Sequence, residues 1–158
     1  MKSATSQLGV SQATNNQPSM VGNTTNFPKF FAGYGDPSLK RSFKGHKDAI
    51  TSIAFNPNLK QVVSSSDDGT VMVWNFKPSL RPFRFIGHKG PVHEVSVNPQ
   101  GTIIASCSQD YTVRLWNNTV EGHSHQIKSH TAPVKCVSFS ADGSLLLSGS
   151  DDKTMKVF

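Results

Sequence analysis

From Ile50 onward, short runs of β-branched and aromatic residues alternate with polar ones and are cut at regular intervals by turn-forming residues. ITSIAF, VHEVSV and VKCVSF place apolar side chains at matching positions, and NPNLK, NPQGT and SADGS follow them in turn. The Asn, Pro, Asp and Gly of these stretches supply the backbone geometry of tight bends. VVSSSDDGTVMVW, IIASCSQDYTVRLW and LLLSGSDDKTMKVF come next, each predicting a strand, a sharp Asp-containing turn and a second strand. Helical periodicity is absent, so the pattern predicts an all-β fold.

The pattern also repeats. Gly45-His46, Gly87-His88 and Ser129-His130 are spaced 42 residues apart, as are Trp74, Trp116 and Phe158. Asp68, Asp110 and Asp152 keep the same interval, and so do Ser64, Ser106 and Ser148. Four residue classes in one register across three copies mark an internal repeat. A unit of 42 residues holding about four strands has the spacing of a β-propeller blade, in which small sheets pack radially face to face. The repeats fall at about 37–76, 77–118 and 119–158.

Residues 1–36 differ in kind. They are rich in Ser, Thr, Asn, Gln and Gly and carry only Lys2, Lys29 and Asp36 as charges, so they bury too little apolar area to offset ordering entropy. They read as a flexible arm, with one aromatic cluster at Phe27, Phe30, Phe31 and Tyr34. The 158-residue chain is 16% charged and 35% hydrophobic, with no apolar run near a bilayer span and no signal-peptide core. A soluble, intracellular protein is expected. Cys107 and Cys136 then read as small buried hydrophobes, and the sequons at Asn23 and Asn117 carry no weight.

Gly-His, a Trp 28 residues beyond the His, and S-x-S-x-D between them resemble the signature of the WD-repeat β-propellers over residues 39–158. Asn75 and Asn117 stand where that signature has Asp. The runs DPSLKRSFKGHKDAITSIAFNPNLKQ, MVWNFKPSLRPFRFIGHKG and HTAPVKCVSFSADG with DDKTMKVF resemble more narrowly the opening blades of the Proteome of Centriole WD-repeat family, components of centrioles and ciliary basal bodies. The resemblance implies a hydrogen-bonded tetrad in each blade: His46, Ser64, Asp68 and Trp74 in the first, and His88, Ser106, Asp110 and Trp116 in the second. The indole can donate to the hydroxyl, the hydroxyl to one imidazole nitrogen, and the other imidazole N–H to the carboxylate. Ser66 shares a strand face with Ser64, and either could take part. The third set has His130, Ser148 and Asp152, but Phe158 cannot donate, which leaves the Ser148 hydroxyl to find another partner. Removing Asp68 is expected to cost about 1–3 kcal/mol by stranding its partners.

Ser, His and Asp together invite a hydrolase reading, but the set recurs three times and no G-x-S-x-G elbow is present. His123 and His125, near His130, read as a solvated loop, since no cysteine or carboxylate cluster accompanies them. No Walker loop or dinucleotide fingerprint occurs, and no cofactor or metal is expected. The net charge of +6 is concentrated usefully in one place. No acidic residue lies between Asp68 and Glu94, while Lys77, Arg81, Arg84 and Lys89 do. These fall on an inter-blade connection and outer strand, where charge protects an edge from aggregation or meets an acidic surface.

The resemblance implies a non-enzymatic scaffold in the cytoplasm and cytoskeleton, at the centriole or basal body. Its implied partners are tubulin in microtubule triplets and other centriolar proteins, with no membrane. Lys47, Lys77, Arg81, Arg84 and Lys89 are the candidate contacts. The rival reading is a WD-repeat adaptor in a ubiquitin-ligase or RNA-processing assembly, for which only Phe83 and Phe85 offer stacking aromatics among the basic residues. Such propellers close with about seven blades, often by an N-terminal strand. The segment around LKRSFKG resembles that strand, and three blades are expected to be part of a longer ring.

Overall fold

The apolar spacing of the innermost strands is three and then two, as in Val92, Val95 and Val97, which strict alternation cannot place on one face. A β-bulge between Val92 and Glu94 restores the register, and sheet one carries the same irregularity between Ile50 and Ser52. The structure is a computed structural model that describes residues 39–119 and 122–158. The polar arm and its aromatic cluster lie outside the described residues.

Among the described residues there are eleven strands and no helix. The first sheet runs β1 (Ile50–Phe55), β2 (Gln61–Ser66), β3 (Thr70–Asn75) and β4 (Phe83–Ile86), each antiparallel to the next. The second runs β5 (Val92–Val97), β6 (Ile103–Ser108), β7 (Val113–Asn117) and β8 (Ser124–Ile127). The third holds β9 (Val134–Phe139), β10 (Leu146–Ser150) and β11 (Met155–Val157). This is the arrangement of a partial β-propeller. The sheets are offset from the sequence repeats by one strand: β4 is encoded at the start of the second repeat and β8 at the start of the third.

Two apolar layers join the sheets. Val63, Val71, Val73 and Phe85 of the first sheet bury against Val92, Val95, Ile104 and Trp116 of the second. Ala105, Cys107 and Val113, on the far face of that second sheet, bury against Val134, Val137 and Leu146. Each fully buried side chain of this size contributes about 1.5–3 kcal/mol relative to exposure. The same register positions change character at the two outer faces. Val95 and Val137 are 5% and 3% exposed, but their equivalent Ile53 is 75% exposed. Val113 is 1% exposed and its equivalent Met155 is 71% exposed.

Two expectations change here. Residues 39–49, including LKRSFKG, carry no strand. In each complete sheet the outer strand pairs with the third strand of the same sheet, β4 on β3 and β8 on β7. The third strand of the third sheet, β11, carries no outer strand among the described residues. Cys107 is buried as expected, but Cys136 is exposed. Cys136 points to the Gly149 side of the third sheet, where a Cβ on Gly149 would come within 2.6 Å of its sulfur.

Candidate functional site

The recurring polar residues converge at the end of each sheet that carries the second turn. In the first sheet the Trp74 indole donates to Ser64 Oγ at 2.8 Å, and Ser64 Oγ lies 2.7 Å from His46 Nε2. His46 Nδ1 faces Asp68 at 3.2 Å. In the second, Trp116 donates to Ser106 at 2.8 Å, Ser106 meets His88 Nε2 at 2.8 Å, and His88 Nδ1 meets Asp110 at 3.0 Å. The hydroxyl accepts from the indole and donates to Nε2, which puts the imidazole proton on Nδ1, facing the carboxylate. In the third, His130 lies 2.8 Å from Ser148 and 2.7 Å from Asp152. Against expectation, the Ser148 hydroxyl stays with His130 Nε2 and lacks only the donor that Phe158 does not supply.

The open choice within S-x-S resolves in favour of Ser64. Ser66 instead donates to the Asp48 carbonyl and accepts the Asp68 N–H, and Ser108 and Ser150 repeat this. Sequence reasoning missed the threonines. Thr70, Thr112 and Thr154 donate to Asp68, Asp110 and Asp152 at 2.6, 2.7 and 2.6 Å. Their signal was present in D-G-T, D-Y-T and D-K-T, again 42 residues apart. Each carboxylate also accepts the N–H of the residue after the histidine, Lys47 at 2.8 Å, Lys89 at 2.9 Å and Thr131 at 3.2 Å.

These bonds set the electrostatics. Burial disfavours the charged form of Asp110, but the Thr112 hydroxyl, the Lys89 N–H and His88 outweigh it and bring the carboxyl down to about 2. Asp68 is likewise held well below the ordinary carboxylate range: burial opposes ionisation, and the donors from Lys47, Thr70 and His46 overcome it. For Asp152 the Thr154 hydroxyl is the foremost cause of the same lowering. Burial pulls His88 below its ordinary value; Asp110 resists this and Arg114 adds to it. The three serine hydroxyls are buried, with their protons committed to imidazole. The arrangement ties two strands, the turn between them and the preceding loop into one cooperative network.

The five basic candidates do not gather at one place. Lys47 and Lys89 occupy equivalent, exposed positions at the histidine end of neighbouring sheets, fixed through their own N–H groups. Lys77 and Arg81 lie in the β3–β4 connection at the opposite end, also exposed. Arg84, on β4, bonds the Gly45 carbonyl at 2.9 Å and pairs with Asp68 at 3.5 Å. Phe85 is buried in the core and Phe83 packs against it, so neither offers a face for a base. His123 and His125 are exposed, but His125 sits in β8 opposite Leu115, since the outer edge of β7 recruits SHQI as a strand where a loop was expected. Among the described residues no group of three His, Cys, Asp or Glu could hold a metal ion.

Comparison with known proteins follows the same register. A family model described as WD domain, G-beta repeat matches residues 37–75, 80–117 and 119–158. The chain is similar to POC1 centriolar protein homolog A of Xenopus tropicalis, 56% identical over 50 residues, which cover 32% of this chain and 11% of that protein. Homolog A of Danio rerio is 59% identical over 49 residues, 31% of this chain and 12% of its own. Homolog B of Mus musculus is 51% identical over 55 residues, 35% of this chain and 12% of its own. The matched segment thus spans about a tenth of each relative's length. With three copies of the repeat matched over most of its length and folded as stacked antiparallel sheets, the chain belongs to the WD-repeat family.

Proposed function

We propose that this chain serves as a non-enzymatic scaffold at the centriole or ciliary basal body, with microtubule triplets and neighbouring centriolar proteins as its partners. The observation that carries the reading is the state of the Ser-His-Asp sets. They occur three times, they are buried, and each hydroxyl proton is already directed to imidazole. They brace strands and present no free nucleophile. The similarity to proteins named as centriolar supports the location.

The basic residues support the mode of action. Lys47 and Lys89 stand at one end of adjacent sheets and Lys77 and Arg81 at the other, so a rigid body can meet acidic surfaces on two sides and gain avidity from fixed geometry. Contact of this kind weakens with salt. Co-sedimentation with microtubules over a salt series, beside an RNA gel shift at matched salt, tests the reading. Binding to microtubules is expected to fall as salt rises, and to fall again when Lys47 and Lys89, or Lys77, Arg81 and Arg84, are replaced by Ala. Retained binding in both variants would retire these contacts, and a preference for RNA would favour the adaptor reading.

A further inference from the structure

At the end of the first two sheets opposite the histidines, the β1–β2 turn, the β3–β4 connection and the β5–β6 turn border a groove. Leu59, Lys60, Lys77, Leu80, Arg81 and Asn118 are the lining residues with chemistry to offer. Two features of this groove point to a ligand.

The first is strain. Leu59 holds a φ of +55°, where the equivalent positions are Gly101 at +72° and Gly143 at +77°. A leucine costs more than glycine in this region, yet the position keeps a leucine and leaves it 75% exposed. The second is charge. Lys60, Lys77 and Arg81 border the groove, and no Asp or Glu among the described residues lines it.

We propose that this groove docks an extended acidic protein segment carrying one large apolar side chain. Its carboxylates meet Lys60, Lys77 and Arg81, and its apolar side chain covers Leu59 and Leu80. The segment is extended so that its carboxylates reach cations contributed by two separate connections, Lys60 from one and Lys77 and Arg81 from the other. A nucleic acid would satisfy the cations but leave Leu59 and Leu80 uncovered. The proposal does not rest on the centriolar reading.

The test is selection of phage-displayed random dodecapeptides on the full chain, followed by fluorescence anisotropy with the enriched sequences. Enriched peptides are expected to carry carboxylates flanking a Leu, Ile or Phe. Their affinity should fall about tenfold or more in Lys60→Glu/Lys77→Glu/Arg81→Glu and with added salt. Leu59→Gly should weaken binding several-fold while raising the melting temperature, which separates loss of contact from loss of fold. The proposal is overturned if no peptide is enriched, if the enriched peptides are basic, or if they bind the charge-reversed chain equally well. It is also overturned if an oligonucleotide or anionic vesicles occupy these residues and acidic peptides do not. Microtubule co-sedimentation of the same variants reads the scaffold proposal separately, so either can fail alone.

Discussion

A single ring explains the third repeat's two departures from the other copies. A Cβ added at Gly45 would stand 2.8 Å from the Trp74 ring, and one at Gly87 would stand 3.0 Å from Trp116. Where Phe158 replaces the indole, the smaller ring leaves room, and Ser129 occupies the glycine position. We therefore expect Phe158→Trp alone to gain nothing, and Ser129→Gly/Phe158→Trp to stabilise the chain by about 1 kcal/mol, as the indole donates to Ser148. Urea denaturation of the two variants decides this; equal stability would show that the rings do not compete with Cβ. Titration tests the same network. His88 has a native pKa below 6.5 and Asp110 one near 2 against an ordinary 3.8. In both cases the unfolded chain binds the proton more readily, so acidification favours unfolding. The melting temperature should decline as pH falls below about 6.5, and decline again between 3.8 and about 2 as Asp110 loses its advantage. A melting temperature that rises from pH 7 to 5 would contradict this. At this scale the His, Ser, Asp and Trp positions were legible because they recur in register. The threonines recur too, but a hydroxyl beside a turn has many ordinary uses, and only distance assigns it to the carboxylate. The choice of Ser64 over Ser66 depended on reach that alternation does not show, since both share a face but only Ser64 meets the indole and the imidazole.

Strands were legible wherever apolar residues recur, and lost where a strand depends on its partner. SHQI has little intrinsic β preference and becomes β8 because β7 offers it an open edge, whereas LKRSFKG carries no strand. The junctions between sheets are also sealed by side chains that no repeat pattern announces. Glu94 accepts the Val137 N–H at 2.7 Å across the second and third sheets, and its equivalents Ser52 and Cys136 cannot reach in the same way. Glu94→Ala should cost about 1.5–3 kcal/mol, the range for hydrogen bonds to a charged group. Hydrogen exchange at Val137 should accelerate more than at Val95, its counterpart in the second sheet. Unchanged exchange at Val137 would show that the carboxylate adds nothing to that junction.

On the scale of the whole molecule, the outer faces of the first and third sheets are interface faces by register, since the matching positions inside are closed. Apolar patches of this kind drive association. The chain is expected to self-associate with rising concentration in analytical ultracentrifugation, and Ile53→Lys/Met155→Lys should shift it toward monomer. A wild-type chain that stays monomeric throughout would show that these faces are tolerated in water. The one-strand offset between repeat and sheet has a consequence of its own. A protease that nicks the 76–82 connection cuts the covalent chain but leaves β4 clamped in the ladder of β3, so the fragments travel together until denatured. Duplication or loss of one whole period leaves every ladder with a proper neighbour, and the architecture can lengthen or shorten by recombination without inventing a new seam.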